Sequence, residues 1–440
     1  MAVRDLIGAP EGRVFGVVWI GQLVSNLGSA MTSFGLAIWV YQETGSATQL
    51  ALIVLASRLP MLLVSPFVGA LVDRWDRRWA MIVADSGAAL GTFAIMVLLV
   101  TGNLETWHLY AALAFSGLFE AFQFPAYSAA TTLLVPKGQY ARASGLVQLA
   151  GSVGRVAAPV IAAVVVTLSG LTVLFVVDFV TFLFAVGTLL VVRFPQAERS
   201  IQRGSGVRGL LLEAWEGLQF VLDRRALFTL MLSFVVVNFG FAFQGVLFVP
   251  LLLNLTTEAI AGLVVSIGAV AIVVGSLALS IWGGPRDRIA GVYVPIMAMG
   301  VGMILMGVSP MVGVVIAGLV LMMGTHPTAG GSSQAIWQSK VPANLQGRVF
   351  AIRQVSAIGA SPIAFLLAGW LADRYFEPMM ADGGGVLGTM FGSGPGRGIG
   401  LMFVLSGVMV IATALVAWTS PRIRNLETEI PDLEEQHTAA

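Results

Sequence analysis

Four charged residues interrupt long apolar stretches of this sequence, and they are its best candidates for chemistry. Arg58, Glu120, Arg155 and Asp178 each stand far along the chain from any other charge. A carboxyl group in such surroundings can take up and release a proton, and an arginine can neutralise it or bind an anionic group. A charge in the middle of a membrane costs about 3 kcal/mol even on lenient scales, so each of the four needs a partner or a function.

The apolar stretches are too extensive for a soluble fold. Hydrophobic residues make up 57% of the 440 residues and charged residues only 11%, against about a quarter charged in average globular proteins. Lipid is therefore expected to surround most of the chain. The net charge of +1 argues against a nucleic-acid partner, and three histidines with no cysteine exclude thiolate metal sites and cysteine catalysis. We expect neither a metal nor a cofactor.

Twelve membrane-spanning helices are predicted from the charge-poor runs, since one span needs about 20 mainly apolar residues. The block 289–339 is too long for one span, and Ser309 and Pro310 divide it because proline disfavours helix on its N-terminal side. The predicted spans are 13–43, 48–72, 79–101, 107–134, 143–168, 171–192, 226–253, 259–283, the two parts of 289–339, 349–372 and 399–420.

The distribution of basic residues predicts the orientation of these spans. With both termini on one side, that side holds all of the 24 Lys and Arg residues except Arg58, Arg155, Arg374 and Arg397. Lys and Arg accumulate on the cytoplasmic side of membrane proteins. Both termini are therefore predicted to be cytoplasmic, in a bacterial cytoplasmic (inner) membrane.

Two ion pairs are predicted among the four isolated charges. Glu120 and Arg155 lie at similar depths in successive spans, which favours a pair between them. That pair is either a proton- or substrate-binding site in which Glu120 changes protonation, or a static pair that fixes helix register. Arg58 and Asp178 are expected to pair nearer the outer face, where we favour a structural role.

A polar stretch near the middle of the chain separates two related halves. Its second part, 208–225, is an amphipathic helix in sequence, expected in the cytoplasmic membrane interface or as a solvated connector. VPKGQYARASGL (135–146) is echoed by VPANLQGRVFAI (341–352), and Pro159 and Pro362 follow at similar distances. The predicted architecture is all-α: two pseudo-symmetric six-helix bundles with a substrate cavity between them. Its predicted parts are 1–192, a cytoplasmic linker 193–225, 226–420 and a cytoplasmic tail 421–440.

The loop between the second and third spans carries a motif, GALVDRWDRR (69–78). On its own this loop is compatible with a positively charged cytoplasmic turn. As G-x-L-x-D-R-x-x-R-R it resembles the signature loop of the major facilitator superfamily. WIGQLVSNLGSAMTSFGLAIWVYQETGS (19–46), SRLPMLLVSPFVGAL (57–71) and FQFPAYSAATTLLVP (122–136) are similar to a bacterial exporter branch that includes macrolide-efflux and enterobactin-export proteins.

The resemblance covers about residues 13–420 and implies a transporter that works by alternating access. It implies a cytoplasmic gate latch that responds to conformation, formed by Gly69, Asp73, Arg74, Arg77 and Arg78. Two departures from related drug–proton antiporters stand out. The fourth helix has Glu120 and no basic residue, where many of them have an arginine, and the fifth has Ala158-Pro159 in place of Gly-Pro.

Three polar residues are candidates for contact with cargo. Asn26 lies on the first span, and Asn238 and Gln244 lie on the seventh. Those helices line the cavity in the fold that the resemblance implies. Each residue can equally serve as a polar contact between helices.

Three functions remain open from the sequence. The leading one is proton-coupled export of amphiphilic small molecules, such as a drug, a siderophore or a secreted peptide. The second is transport of a lipid or lysolipid, and the third is a non-transporting membrane sensor or scaffold. The latch loop, the helix-breaking prolines and the buried charges argue against the third. No nucleophile–base set points to an enzyme, and the expected partners of a monomeric protein are a small-molecule substrate, protons and the bilayer.

Overall fold

The computed structural model of the chain describes residues 10–72, 75–135, 140–192, 194 and 207–429. Most of these residues are helical, and no strand occurs among them. The helices are α1 (Pro10–Thr44), α2 (Ala47–Val72), α3 (Arg77–Val100), α4 (Thr106–Leu134), α5 (Tyr140–Ser169), α6 (Leu171–Val191), α7 (Val207–Asp223), α8 (Arg225–Leu255), α9 (Glu258–Trp282), α10 (Arg288–Val308), α11 (Val312–Lys340), α12 (Ala343–Gly359), α13 (Ser361–Leu371), α14 (Glu377–Ala381), α15 (Gly385–Phe391), α16 (Arg397–Thr419), α17 (Pro421–Arg424) and α18 (Leu426–Glu429).

The all-α membrane fold predicted from the sequence is confirmed. Eleven helical segments of the described chain are long and apolar enough to cross a membrane. The other long helix, α4, has 29 residues, and its polar side chains, among them His108, Glu120 and Gln123, lower its hydropathy. With α4 added to the eleven, the described residues contain twelve candidate spans.

The helix boundaries confirm one predicted break and correct one predicted helix. α10 ends at Val308 and α11 begins at Val312, as the Ser309–Pro310 pair predicts. The prediction of one continuous helix over 349–372 is wrong. The observed helix begins earlier, at Ala343, and is divided into α12 and α13 at Ala360. It continues into a π-helical turn, Ala372–Phe376. Pro362 has no N–H to donate to the carbonyl four residues earlier, which interrupts the helix at this point.

The first six helices pack in two main groups. α1 lies against α5 and α6, and α4 lies against α2 and α3. Three glycines spaced by seven residues, Gly21, Gly28 and Gly35, face α6. A Cβ atom at any of them would lie 2.2–2.3 Å from a side-chain atom of α6. These small residues let the two backbones approach closely, which is how membrane helices associate in the absence of a hydrophobic driving force.

In the second half, α16 lies against α8 and α10. Two charged residues, Glu377 and Arg397, make the contacts that hold its first turn. The Glu377 carboxylate accepts the backbone N–H groups of Gly396 (2.9 Å) and Ile399 (2.7 Å), which have no partner within the helix. Arg397, 4% exposed, donates to the backbone carbonyl of Gly307 (2.9 Å) at the end of α10.

By packing, the chain divides into two compact units, Met1–Arg203 with Thr257–Ser266, and Gly204–Thr256 with Ile267–Ala440. The helix predicted within the linker is present as α7. Val221 of α7 is buried, whereas Trp215 and Leu222 are exposed. The placement of α7 in a membrane interface and the predicted limits at 192, 225 and 420 stay predictions.

Candidate functional site

A small cavity inside the first unit brings together two of the four isolated charges. Glu120 of α4 and Asp178 of α6 line it, and hydroxyl groups from neighbouring helices complete its polar wall: Ser29, Thr32, Ser33, Thr92 and Ser116. Its volume is about 70 Å³. That space holds a few water molecules, which need roughly 10–15 Å³ each by this measure. It is far below the roughly 300–1,000 Å³ of drug-binding pockets.

Asp178 is held rigidly in this cavity. Its side chain is 5% exposed, and Ser29 Oγ donates a hydrogen bond to Asp178 Oδ1 at 2.9 Å. Thr32 and Thr92 line the same cavity, and the Thr32 hydroxyl donates to the backbone carbonyl of Leu174 at 3.3 Å. The closeness of α1 explains the arrangement, because a Cβ atom on Gly28 would lie 3.2 Å from Asp178 Cα. The glycine thus places the hydroxyls of α1 around the acid.

Glu120 also lines the cavity, and its side chain is exposed. Arg58 of α2 acts on it as an opposite charge, and Glu120 acts on Asp178 as a like charge. Gly117, one turn before Glu120, explains why α2 and α4 are adjacent at this height. A Cβ atom on Gly117 would lie 2.1 Å from the backbone oxygen of Ser57. Arg58 follows Ser57 directly, so its backbone lies at this crossing of α2 and α4.

The predicted pairing of the four charges was wrong. Arg155 donates to Ser152 on its own helix at 3.2 Å, and within the described chain it forms no ion pair with Glu120. Asp178 likewise accepts a hydrogen bond from Ser29 and, among the described residues, forms no ion pair with Arg58. The reason is helix adjacency: α5 packs on α1 and hardly touches α4, whereas α4 packs on α2. Similar depth in successive helices does not make two residues neighbours.

A second polar cluster lies close to the cavity and was not predicted from the sequence. Asp85 of α3 is only 5% exposed. Gln22 of α1 donates from Nε2 to Asp85 Oδ2 at 2.9 Å, and Gln123 of α4 donates from Nε2 to Gln22 Oε1 at 2.6 Å. A chain of amide and carboxyl groups therefore connects α1, α3 and α4.

One polar face of α1 contacts both buried acids, Asp85 and Asp178. Gln22, Ser25, Ser29 and Thr32 recur at intervals of three and four residues, which places them on one face of the helix. Gln22 contacts Asp85, and Ser29, two turns further on, contacts Asp178. Seven residues of helix span about 10 Å. This stripe is the sequence signal that could have located the buried acids.

Removal of Gln22 is expected to destabilise the first unit. Gln22→Leu leaves Asp85 without the α1 donor and Gln123 without its acceptor, which costs about 2–3 kcal/mol by analogy with other hydrogen bonds to buried charged groups. Thermal unfolding of the purified protein measures this loss. Gln148→Leu on α5 is the matched control, since Gln148 is exposed. Equal stability of the two variants would show that the cluster contributes nothing to the fold.

The loop that resembles a gate latch is described only in part. Asp73 and Arg74 lie outside the described residues, and Gly69 lies within α2. Arg78 donates from Nε to the carbonyl of Leu189 (2.6 Å) and from Nη2 to that of Leu190 (2.7 Å). These contacts place a cation at the C-terminal end of α6, where it satisfies free carbonyls and the helix dipole.

The remaining residue of this loop is Arg77, whose Nε is buried without a hydrogen-bond partner in the described chain. Neighbouring Asp76 accepts the backbone N–H groups of Arg78 and Trp79 and so caps α3. The gate role of the motif stays a prediction.

The three cargo-contact candidates differ in their surroundings. Asn26 of α1 is exposed. Asn238 donates to the carbonyl of Phe234 on its own helix at 2.7 Å. Gln244 is 7% exposed and lies against Met303 and Phe403 of α10 and α16, which favours the role of a contact between helices. Contact with cargo stays a prediction for all three. Among the residues that the structure describes, no cluster of three or more His, Asp or Glu residues could hold a metal.

The sequence of this chain is similar to the sequences of known transporters. The family model described as Major Facilitator Superfamily matches residues 18–365. Macrolide efflux protein A of Streptococcus pyogenes is 27% identical over 94% of this chain and 97% of its own length. Multidrug efflux pump Tap of Mycolicibacterium fortuitum is 24% identical over 81% of this chain and 88% of its own length.

The fold is also similar to that of solved structures. A bacterial homologue of the human lysosomal transporter Spinster has a TM-score of 0.73 with this chain, at 13% identity. The match covers 96% of this chain and 99% of that structure. At this identity the likeness concerns the fold alone.

Proposed function

This chain belongs to the major facilitator superfamily, and on that basis we propose that it exports small amphiphilic molecules in exchange for protons. As a member of this family it is a multi-pass membrane transporter and not an enzyme. The proposal has three parts: the direction of transport, the driving ion and the place of the protein in the cell.

The observation that carries the proton coupling is the composition of the cavity in the first unit. Two carboxyl groups, Glu120 and Asp178, line it, and Arg58 supplies one opposite charge beside Glu120. With both acids ionised, this group of three carries one excess negative charge within the membrane. One proton neutralises it, and two like charges in one site favour such a proton. Glu120 is the better exchange site, because it is exposed whereas Asp178 is enclosed by hydroxyl donors.

Export is supported by the two efflux proteins that match most of this chain. The cavity around Glu120 is too small for a drug-sized molecule. Cargo therefore binds elsewhere, and the acid pair supplies the driving step. Alternating access, the mechanism of this family, then links the two.

We place the protein in the bacterial cytoplasmic (inner) membrane as a monomer with both termini in the cytoplasm. The accumulation of Lys and Arg in the loops on the side of the termini supports this orientation.

Accumulation of cargo in bacterial cells tests the export. Cells that lack their main efflux pumps receive the gene or an empty vector, and uptake of a radiolabelled macrolide and of ethidium is followed with and without an uncoupler. We expect accumulation several-fold below the vector control, restored by the uncoupler. Unchanged accumulation of every cargo would refute export of these compounds. If cells with the gene still accumulate less cargo than vector cells when both are treated with the uncoupler, the proton gradient is not the driving force.

A further inference from the structure

A second cavity, within the second unit, has a different chemistry from the acid-lined one. Its volume is about 240 Å³, and α8, α11 and α12 form its walls. Six of the side chains that line it are Met231, Phe234, Gln334, Trp337, Phe350 and Arg353. Arg353 is the charged residue of this wall, and no carboxylate occurs among the described residues that line it. The cavity thus combines apolar and aromatic side chains with two glutamines and one cation.

Arg353 lies inside a candidate span, although the sequence grouped it with the basic loops of the cytoplasmic side. It belongs to the segment Leu345–Ala381 and is half-buried. Its Nη1 donates to Gln334 Oε1 at 2.9 Å, and its Nη2 lies 3.4 Å from Ser333 Oγ. Both partners are neutral. A guanidinium has five N–H donors, so three of them have no protein acceptor in the described part of the chain.

The nearest arginine on the same helix differs in this respect. Arg348 forms an ion pair with Glu216 of α7. That carboxylate therefore neutralises the first basic residue of α12. Arg353 has no such ion pair in the described part of the chain, and an unneutralised charge in a membrane span is a functional candidate by default.

Aromatic rings hold the guanidinium in place without cancelling its charge. Its carbon lies 5.2 Å from the ring centroid of Trp337 and 5.9 Å from that of Phe350. Such contacts fix the plane of the group by cation–π attraction. Its free N–H groups then present the fork that pairs with a carboxylate or a phosphate.

We propose that this cavity binds a small amphiphilic anion. Its carboxylate or phosphate pairs with Arg353, and its apolar body lies against Met231 and Phe234. The volume of the cavity, below the range of drug-sized pockets, limits the enclosed part of the ligand to about a small aromatic acid. The site requires no proton coupling, so it stands or falls independently of Glu120.

Binding of a matched pair of ligands to the purified full-length protein tests this directly. Isothermal titration compares 2-naphthoate with its neutral isostere, 2-naphthamide. We expect the anion to bind at least tenfold more tightly, which corresponds to about 1.4 kcal/mol. Equal affinity of the two, or no binding of naphthoate, would overturn the proposal without the need for any variant.

Variants of the protein then show which residue causes the preference for naphthoate over naphthamide. Arg353→Gln is expected to remove it, and Arg353→Lys to retain only part of it, since an ammonium lacks the planar fork. Arg374→Gln is the control, because Arg374 is an exposed arginine of the same span. Gel filtration and thermal unfolding confirm that each variant is folded. Wild-type preference in folded Arg353→Gln would overturn the assignment.

The lipid composition of the membrane distinguishes two sources of the anion, a lipid headgroup and a soluble molecule. Naphthoate titrations are repeated in nanodiscs of phosphatidylcholine alone and with phosphatidylglycerol. Weaker naphthoate binding in the presence of phosphatidylglycerol supports the lipid phosphate as the occupant of the Arg353 site. Unchanged binding supports a soluble cargo with an acidic group.

Discussion

Glu120→Gln is expected to abolish proton-driven transport and to leave a folded protein. Glutamine keeps the size and the hydrogen-bonding capacity of glutamate but cannot take up a proton at this position. In everted membrane vesicles energised by respiration, drug uptake should fall at least tenfold, to the level of vesicles treated with an uncoupler. Exchange of cargo between the two sides without a gradient should continue, since the cavity around Glu120 is too small to hold the cargo.

The control for this experiment is Glu43→Gln. Glu43 is an exposed carboxylate at the last turn of α1, outside the cavity, and the change is chemically identical. We expect wild-type uptake from it. Gradient-driven uptake by Glu120→Gln at the wild-type rate would show that Glu120 does not couple protons. If Asp178→Asn alone then abolished the driven uptake, the proton-exchanging acid would be Asp178.

Gly117→Ala is expected to destabilise the first unit by forcing α2 and α4 apart. The added Cβ atom would lie 2.1 Å from the backbone oxygen of Ser57. A backbone atom cannot rotate away, so α2 and α4 must separate, and overpacking of this kind costs about 1–3 kcal/mol or more. The separation also draws Arg58 away from Glu120. Thermal unfolding in detergent and the amount of folded protein in membranes measure the effect.

Gly187→Ala on α6 provides the comparison. Gly187 is also a helical glycine of the first unit, but no atom lies within 4 Å of the position that its Cβ would take. Alanine stabilises a helix relative to glycine by about 0.5–1 kcal/mol, so this variant should be as stable as the wild type or more so. If Gly117→Ala unfolds at the same temperature as Gly187→Ala, the tight crossing of α2 and α4 is not present in the protein.

The helices of this chain could be predicted from the sequence because the signal for a span is local. Long charge-free runs locate the spans, and the Ser309–Pro310 break ends α10 by its own backbone chemistry. The division at Ala360 was missed although Pro362 was noted, since a proline can also sit inside a continuous helix, as Pro159 does in α5. Surrounding packing decides between these outcomes.

The sequence indicated which residues are candidates for the site, but not which of them are neighbours in the structure. Glu120 and Asp178 were found because a charge in an apolar run is conspicuous. Their neighbours depend on which helices touch, and that is decided by close approaches such as Gly117 against Ser57. Hydropathy does not register such contacts. Arg353 was misjudged for a related reason, because its aromatic surroundings come from three separate helices.

Proton movement during transport tests the central claim most directly. Purified protein is reconstituted into liposomes that enclose a pH-sensitive dye, and a gradient of the best-exported cargo is applied with no initial difference in pH. We expect the cargo gradient to drive protons in the opposite direction through the wild-type protein, and no proton movement through Glu120→Gln. Cargo that crosses through the wild-type protein with no change in internal pH would contradict proton-coupled export.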